Sequence, residues 1–112
     1  MNAAMDRLCR QHGYAAPVDV LMELGILTRR EYEDWRFGRV DYLERVCHAN
    51  LNKLSTVMRQ IRVYGMKKGL RPSVCTYRRW GKGKSVPLRF SKSGDVGIER
   101  WYATHFVEEK RK

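Results

Sequence analysis

Residues 42–68 read YLERVCHANLNKLSTVMRQIRVYGMKK, and this stretch decides the fold. Leu43, Cys47, Leu51, Leu54, Met58, Ile61 and Tyr64 recur at three- and four-residue spacing, with Val46 and Val57 widening the stripe. That is the period of a helix with one buried face. Asp41 and Glu44 stand at capping-box spacing, so the pattern predicts one long helix over about 42–68. The opposite side carries Arg45, His48, Asn52, Ser55, Arg59 and Arg62 and is polar-basic. Gly65 and Gly69 are expected to fray its end, and Pro72 forbids continuation.

Downstream, Val74–Trp80 is rich in β-formers, 81–85 is Gly-Lys-Gly-Lys-Ser, and Val86, Leu88 and Phe90 alternate with Pro87, Arg89 and Ser91. This predicts a two-stranded ribbon, with Pro87 at an edge or a position that makes no ladder bond. A lone ribbon is marginal in water, so the long helix and a closing helix must cover its apolar side. Ile98, Trp101, Tyr102, His105 and Phe106 place that closing helix at about 96–107. Upstream, three short helices are expected at 2–12, about 17–24 and about 29–37. Pro17 opens the second, Thr28 and Glu31 form a capping box for the third, and Gly13, Gly25 and Gly38 act as stops. Tyr32 and Trp35 are expected to pack against the long helix. The fold class is mainly α with a β-hairpin (α+β), one domain over 1–107, with a flexible charged tail at 108–112.

The charge is distributed unevenly. From Arg45 to Gly94 there is no Asp or Glu, but there are 13 Lys and Arg residues. Residues 1–44 hold 8 acids and 6 bases, and residues 95–112 hold 4 of each, so the central block supplies the whole excess of the +11 net charge. Surfaces shaped by solubility alone intersperse both signs. A block of one sign repels itself and implies an anionic partner, of which nucleic acid is the commonest. An apolar fraction of 43% argues for a folded protein over a disordered basic tail.

The ribbon concentrates the candidate contacts. Arg78, Arg79, Lys82, Lys84 and Arg89 surround its glycine turn, Lys92 follows, and Tyr77 and Trp80 are interleaved. Cations meet phosphates, and exposed aromatic faces stack on unpaired bases. Arg59 and Arg62 on the long helix extend this footprint. The bland alternative is a solvated edge with both aromatics in the core. Gly83-Lys84-Ser85 ends like a nucleotide phosphate-binding loop. The required earlier glycine is Arg78, however, and no helix pattern follows.

Residues 18–37 resemble a helix-turn-helix, with Gly25-Ile-Leu-Thr28 as the turn and Arg29-Arg30 opening the second helix. Leu21 stands where a small residue belongs, and Glu31, Glu33 and Asp34 would repel phosphate, so a packing unit is expected instead. Cys9 and His12 with Cys47 and His48 have zinc-like spacing, but adjacent helical residues point about 100° apart, so no metal and no cofactor are expected. His105 reads as a core-edge residue.

Cys9, Cys47 and Cys75 are odd in number and irregularly spaced, there is no signal-peptide pattern at the start, and no apolar run approaches 18 residues. A reduced, cytoplasmic setting without membrane contact is expected. The sequence supports a non-enzymatic nucleic-acid-binding protein first. Second is an inhibitor or interaction protein, of a phage or mobile-element kind, that binds a nucleic-acid-processing enzyme; Tyr32, Trp35 and Phe37 would be its anchors if exposed. A RelE-like ribonuclease comes third, by analogy of composition alone.

Overall fold

Met5, Leu8 and Cys9 form the buried side of α1 (Asn2–His12) in a computed structural model that describes residues 2–108. A left-handed Gly13 then turns the chain into the short strand β1 (Tyr14–Ala15). Pro17 starts α2 (Pro17–Glu23), whose Val18, Val20 and Leu21 are fully buried. Thr28 caps α3 (Arg29–Arg36) with both arms of the expected box: Glu31 N donates to Thr28 Oγ1 at 3.1 Å, and Thr28 N donates to the Glu31 carboxylate at 3.0 Å.

The long helix is shorter than the periodicity suggests. Leu43–Val46 is a single 3-10 turn, and α4 runs Leu51–Lys67. Asn50 is the reason: its side chain accepts from Lys53 N at 2.8 Å and starts a new helix there. Just before it, His48 N donates to Ile26 O at 2.7 Å, which pulls the chain off any helical path. Asp41 and Glu44 cap nothing: Asp41 pairs with Arg45, and Glu44 turns towards Lys92 N and Tyr102. Leu54, Val57, Met58, Ile61 and Tyr64 are buried as expected, but Leu51, on the first turn, is 59% exposed. Gly65 does not fray the helix; it is buried within it, and the left-handed Gly69 ends it.

The sheet lies elsewhere than expected. β2 is Arg71–Val74, α5 is Val96–Ala103, and the chain then extends as β3 (Thr104–Val107) instead of continuing as helix to 107. β3 is the centre of a three-stranded antiparallel sheet of order β1-β3-β2, with Ala15 and Pro72 both opposite Phe106. Pro72 lies on an edge strand, where its missing N–H is tolerated. Thr104, His105, Phe106 and Val107 satisfy a helical and an alternating pattern equally well over so short a run, and pairing with two partners favours the strand.

The expected ribbon is reduced to one bridge. Arg78 faces Pro87, flanked by Leu88 N to Tyr77 O at 2.8 Å and Arg79 N to Val86 O at 2.9 Å. Pro87 therefore sits at the non-bonded position, and the rest of the segment is loop anchored by side chains. Trp35, fully buried, has its ring against Tyr77 and Phe90, so it packs on this segment, while Tyr32 meets Trp80 edge-on.

Residues from α1 through β3 share one hydrophobic core within the expected α+β class. Of the expected tail, Glu108 is tied by its N–H to Gly13 O at 2.9 Å, and 109–112 lie outside the described residues. No helix among the described residues is long and apolar enough to cross a membrane.

Candidate nucleic-acid interface

The loop between Tyr77 and Leu88 is fixed at its base to the end of α3. Trp80 N donates to Arg36 O at 2.7 Å, and the half-buried Trp80 ring meets Tyr32 and Phe37 edge-on. The Arg36 guanidinium stacks 4.5 Å from the centre of the same ring. Gly81 and Gly83 both have positive φ, 106° and 101°, so the tip depends on glycine. Arg78 donates to Ser85 O and Arg79 to Lys82 O, so two guanidiniums tie the loop's own carbonyls together. Arg78, Lys82 and Lys84 are exposed and Arg79 is half-buried along Gly38. Phe37, 41% exposed, and Arg39, stacked over it at 5.0 Å, complete this end.

Tyr77 is excluded as a stacking residue. It is buried between Trp35 and Phe90, and its hydroxyl lies 2.9 Å from His105 Nε2. An apolar setting on both sides of a basic loop gives the same sequence pattern as an aromatic nucleic-acid contact, which is why the sequence could not separate them.

The next segment, 89–92, is held rigidly by two carboxylates. Glu99 accepts from Phe90 N at 3.0 Å, Ser91 N at 2.6 Å and Ser91 Oγ at 2.6 Å. Glu44 accepts from Lys92 N at 3.0 Å and Tyr102 OH at 2.8 Å. Trp35 Nε1 and Leu43 N both donate to Arg89 O. Arg89 itself donates to Ser91 O and lies 5.3 Å from the centre of the Tyr42 ring. Lys92 then stands at the rim of a cavity walled by α4 and α5. Arg59 and Arg62 border a second cavity beside it. The sequence candidates thus fall into two groups: Arg78, Arg79, Lys82, Lys84 and Trp80 on the loop, and Arg59, Arg62 and Lys92 around the α4–α5 groove, with Arg89 between them in the chain.

Their charge is unneutralised. The ion pairs among the described residues are Arg7–Glu23, Arg29–Glu33, Arg39–Asp34, Arg45–Asp41 and His48–Glu31. None of the eight candidate cations has a carboxylate within 4 Å among the described residues. Of the remaining acids, Glu44 and Glu99 hold backbone amides, Asp6 accepts from Tyr64 OH, Asp95 caps α5 through Ile98 N, and Asp19 lines a cavity beside Arg36.

A cluster invisible in the sequence adjoins the loop base through Arg36 and Tyr77. Tyr14, Asp19, Arg36, Cys75, Tyr77 and His105, drawn from elements far apart in the chain, meet at a cavity of about 260 Å³. Burial raises the Asp19 carboxyl and lowers the His105 imidazole, and burial also pushes the Tyr77 hydroxyl up. Cys75 Sγ stands 3.5 Å from His105 Nδ1, and Tyr14 stacks on the same ring at 5.3 Å. No spacing rule in a single chain would gather these groups.

The helix-turn-helix likeness resolves into α2 and α3 joined through a left-handed Gly25. Tyr32 and Trp35 of α3 face the core, and Glu33 and Asp34 are spent on Arg29 and Arg39. Cys9 is buried, and burial pushes the Cys47 thiol up to about 12 while it donates to Leu43 O. Among the described residues, no three His, Cys, Asp or Glu side chains are grouped to hold a metal ion. Comparison with known protein families, characterised proteins and solved structures gives no match to this chain.

Proposed function

We propose that this chain is a non-enzymatic nucleic-acid-binding protein that grips the phosphate backbone with the loop cations Arg78, Arg79, Lys82 and Lys84. Arg59, Arg62 and Lys92 extend the grip along the α4–α5 groove. One observation carries this reading: among the described residues none of the eight candidate cations has a carboxylate within 4 Å, while Glu33, Asp34 and Asp41 pair with other arginines and Glu44 and Glu99 hold backbone amides. A rigid loop base supports it further, since phosphate contacts fix register only when the cations are themselves held in place. Titrating single- and double-stranded DNA and RNA at 50 and 200 mM salt tests it. Micromolar or tighter binding that weakens steeply with salt is expected.

A second reading rests on Phe37, exposed beside Trp80 and Arg39 at the base of the loop. Aromatic and arginine side chains anchor protein interfaces, so this end would suit an inhibitor of a nucleic-acid enzyme. Capture of a partner that survives nuclease treatment and 200 mM salt, and is lost on Phe37→Ala, supports that reading over the first. Incubation with labelled RNA is expected to leave it uncut; cleavage lost on His105→Gln would support the ribonuclease reading.

A further inference from the structure

Two cavities lie side by side between α4 and α5, of about 480 Å³ and about 410 Å³, and they share Ser55 and Trp101 as a common wall. The larger has an apolar lining that includes Leu51, Met58, Ile98, Trp101 and Tyr102. Leu51 and Trp101 are 59% and 37% exposed there, an unusual cost for an open groove in a small protein. The smaller is polar, with Asn52, Thr56, Arg59 and Arg62. The Arg62 guanidinium stacks on Trp101, 4.1 Å from the ring centre, and its buried Nη1 has no hydrogen-bond partner.

From this arrangement we infer that the groove is a slot for one unpaired nucleobase, seated against Trp101 with its flanking phosphates at Arg59, Arg62 and Lys92. This rests on the nucleic-acid reading above and adds the strandedness. The charge pattern selects the occupant. Lys92 is on the rim of the apolar cavity and two arginines border its neighbour, so an apolar ligand alone would leave three cations unused. The one carboxylate in the wall, Glu44, is already occupied by Lys92 N and Tyr102 OH and does not oppose an anion at the rim. A flat apolar body joined to phosphates matches both halves of the groove. A base inside a duplex is stacked on its neighbours and cannot enter, so the slot distinguishes single from double strands.

The test uses the full chain, a labelled 12-nucleotide single strand, and the same strand annealed to its complement, with circular dichroism to verify each variant's fold. The native protein is expected to prefer the single strand about tenfold, as aromatic base stacking commonly gives. Trp101→Ala should lose that preference while duplex affinity changes less than twofold, and Trp101→Phe should keep most of it. Leu51→Glu provides a variant at an exposed, first-turn helix position where a carboxylate suits the helix. It should weaken single-strand binding at least fivefold more than duplex binding. Equal affinity for both strands in the native protein, or equal losses in the variants, overturns the slot while leaving the phosphate grip intact. Failure to bind either strand overturns both.

Discussion

The Phe106 ring of β3 lies directly on the backbone of Gly65 in α4: a Cβ added at Gly65 would stand 2.4 Å from Phe106 Cδ1. The helix and the centre of the sheet can approach this closely only because position 65 has no side chain. Gly65→Ala should improve helix propensity by about 1 kcal/mol yet destabilise the fold overall. Overpacking of a close contact costs about 1–3 kcal/mol, and here a rigid ring would have to move. Denaturant midpoints give the sign, and a more stable variant would show that the contact relaxes freely.

Leu54 and Ile61 are 2% and 1% exposed at the centre of α4. Truncating either to Ala should cost about 2–4 kcal/mol. Arg59→Ala, on the exposed side, should cost well under about 1 kcal/mol. Urea unfolding of the three variants checks the order.

Glu99 collects Phe90 N, Ser91 N and Ser91 Oγ, and Ser91 is almost fully buried. Glu99→Ala should leave these donors unpaired and cost about 2–4 kcal/mol, whereas Glu99→Gln keeps an acceptor and should cost about half as much. Amide hydrogen exchange at Phe90 and Ser91 should accelerate in the Ala variant before exchange in α4 does.

Burial holds His105 below its ordinary value of 6.5, so the unfolded chain binds a proton there more readily than the folded one. The stability this neutral imidazole contributes is complete above about pH 6.5 and is lost as the pH falls through its lower folded value. The stability difference between the native protein and His105→Gln should therefore shrink from pH 7.5 to pH 5. Asp19, raised by burial, acts with the opposite sign: its stability is complete below its ordinary value of 3.8 and is lost as the pH rises above it through the folded value. Asp19→Asn should thus stabilise the protein at pH 7. Parallel pH profiles for the native protein and both variants would contradict these assignments.

The helices were legible where local signals agree, as at Thr28–Glu31 and Pro17. The break at Asn50 was not, because an unbroken apolar period masks a cap that acts through one side chain. β3 was missed because its pairing with β1 and β2 is non-local, and four residues fit either period. Of the candidate site, charge picked out the basic residues, of which Arg59, Arg78, Lys82, Lys84, Arg89 and Lys92 are exposed and Arg62 and Arg79 half-buried, but composition could not show that Tyr77 points inward to Trp35 or that Trp101 opens onto a groove. Those depend on which faces the tertiary packing covers.

The central claim is that the loop cations hold phosphate. The most direct measurement is the affinity of the native protein and of the combined Arg78→Gln, Arg79→Gln, Lys82→Gln and Lys84→Gln variant for one nucleic-acid strand, from 50 to 200 mM salt. Seven phosphate contacts, four on the loop and three at the groove, give a log–log slope of about −5 on a single strand, or roughly three orders of magnitude over that range. The variant should bind at least about tenfold more weakly at 50 mM, with a slope reduced by about three, while its circular dichroism is unchanged. Equal affinity and equal slope in a folded variant would contradict the claim and remove the loop from the interface.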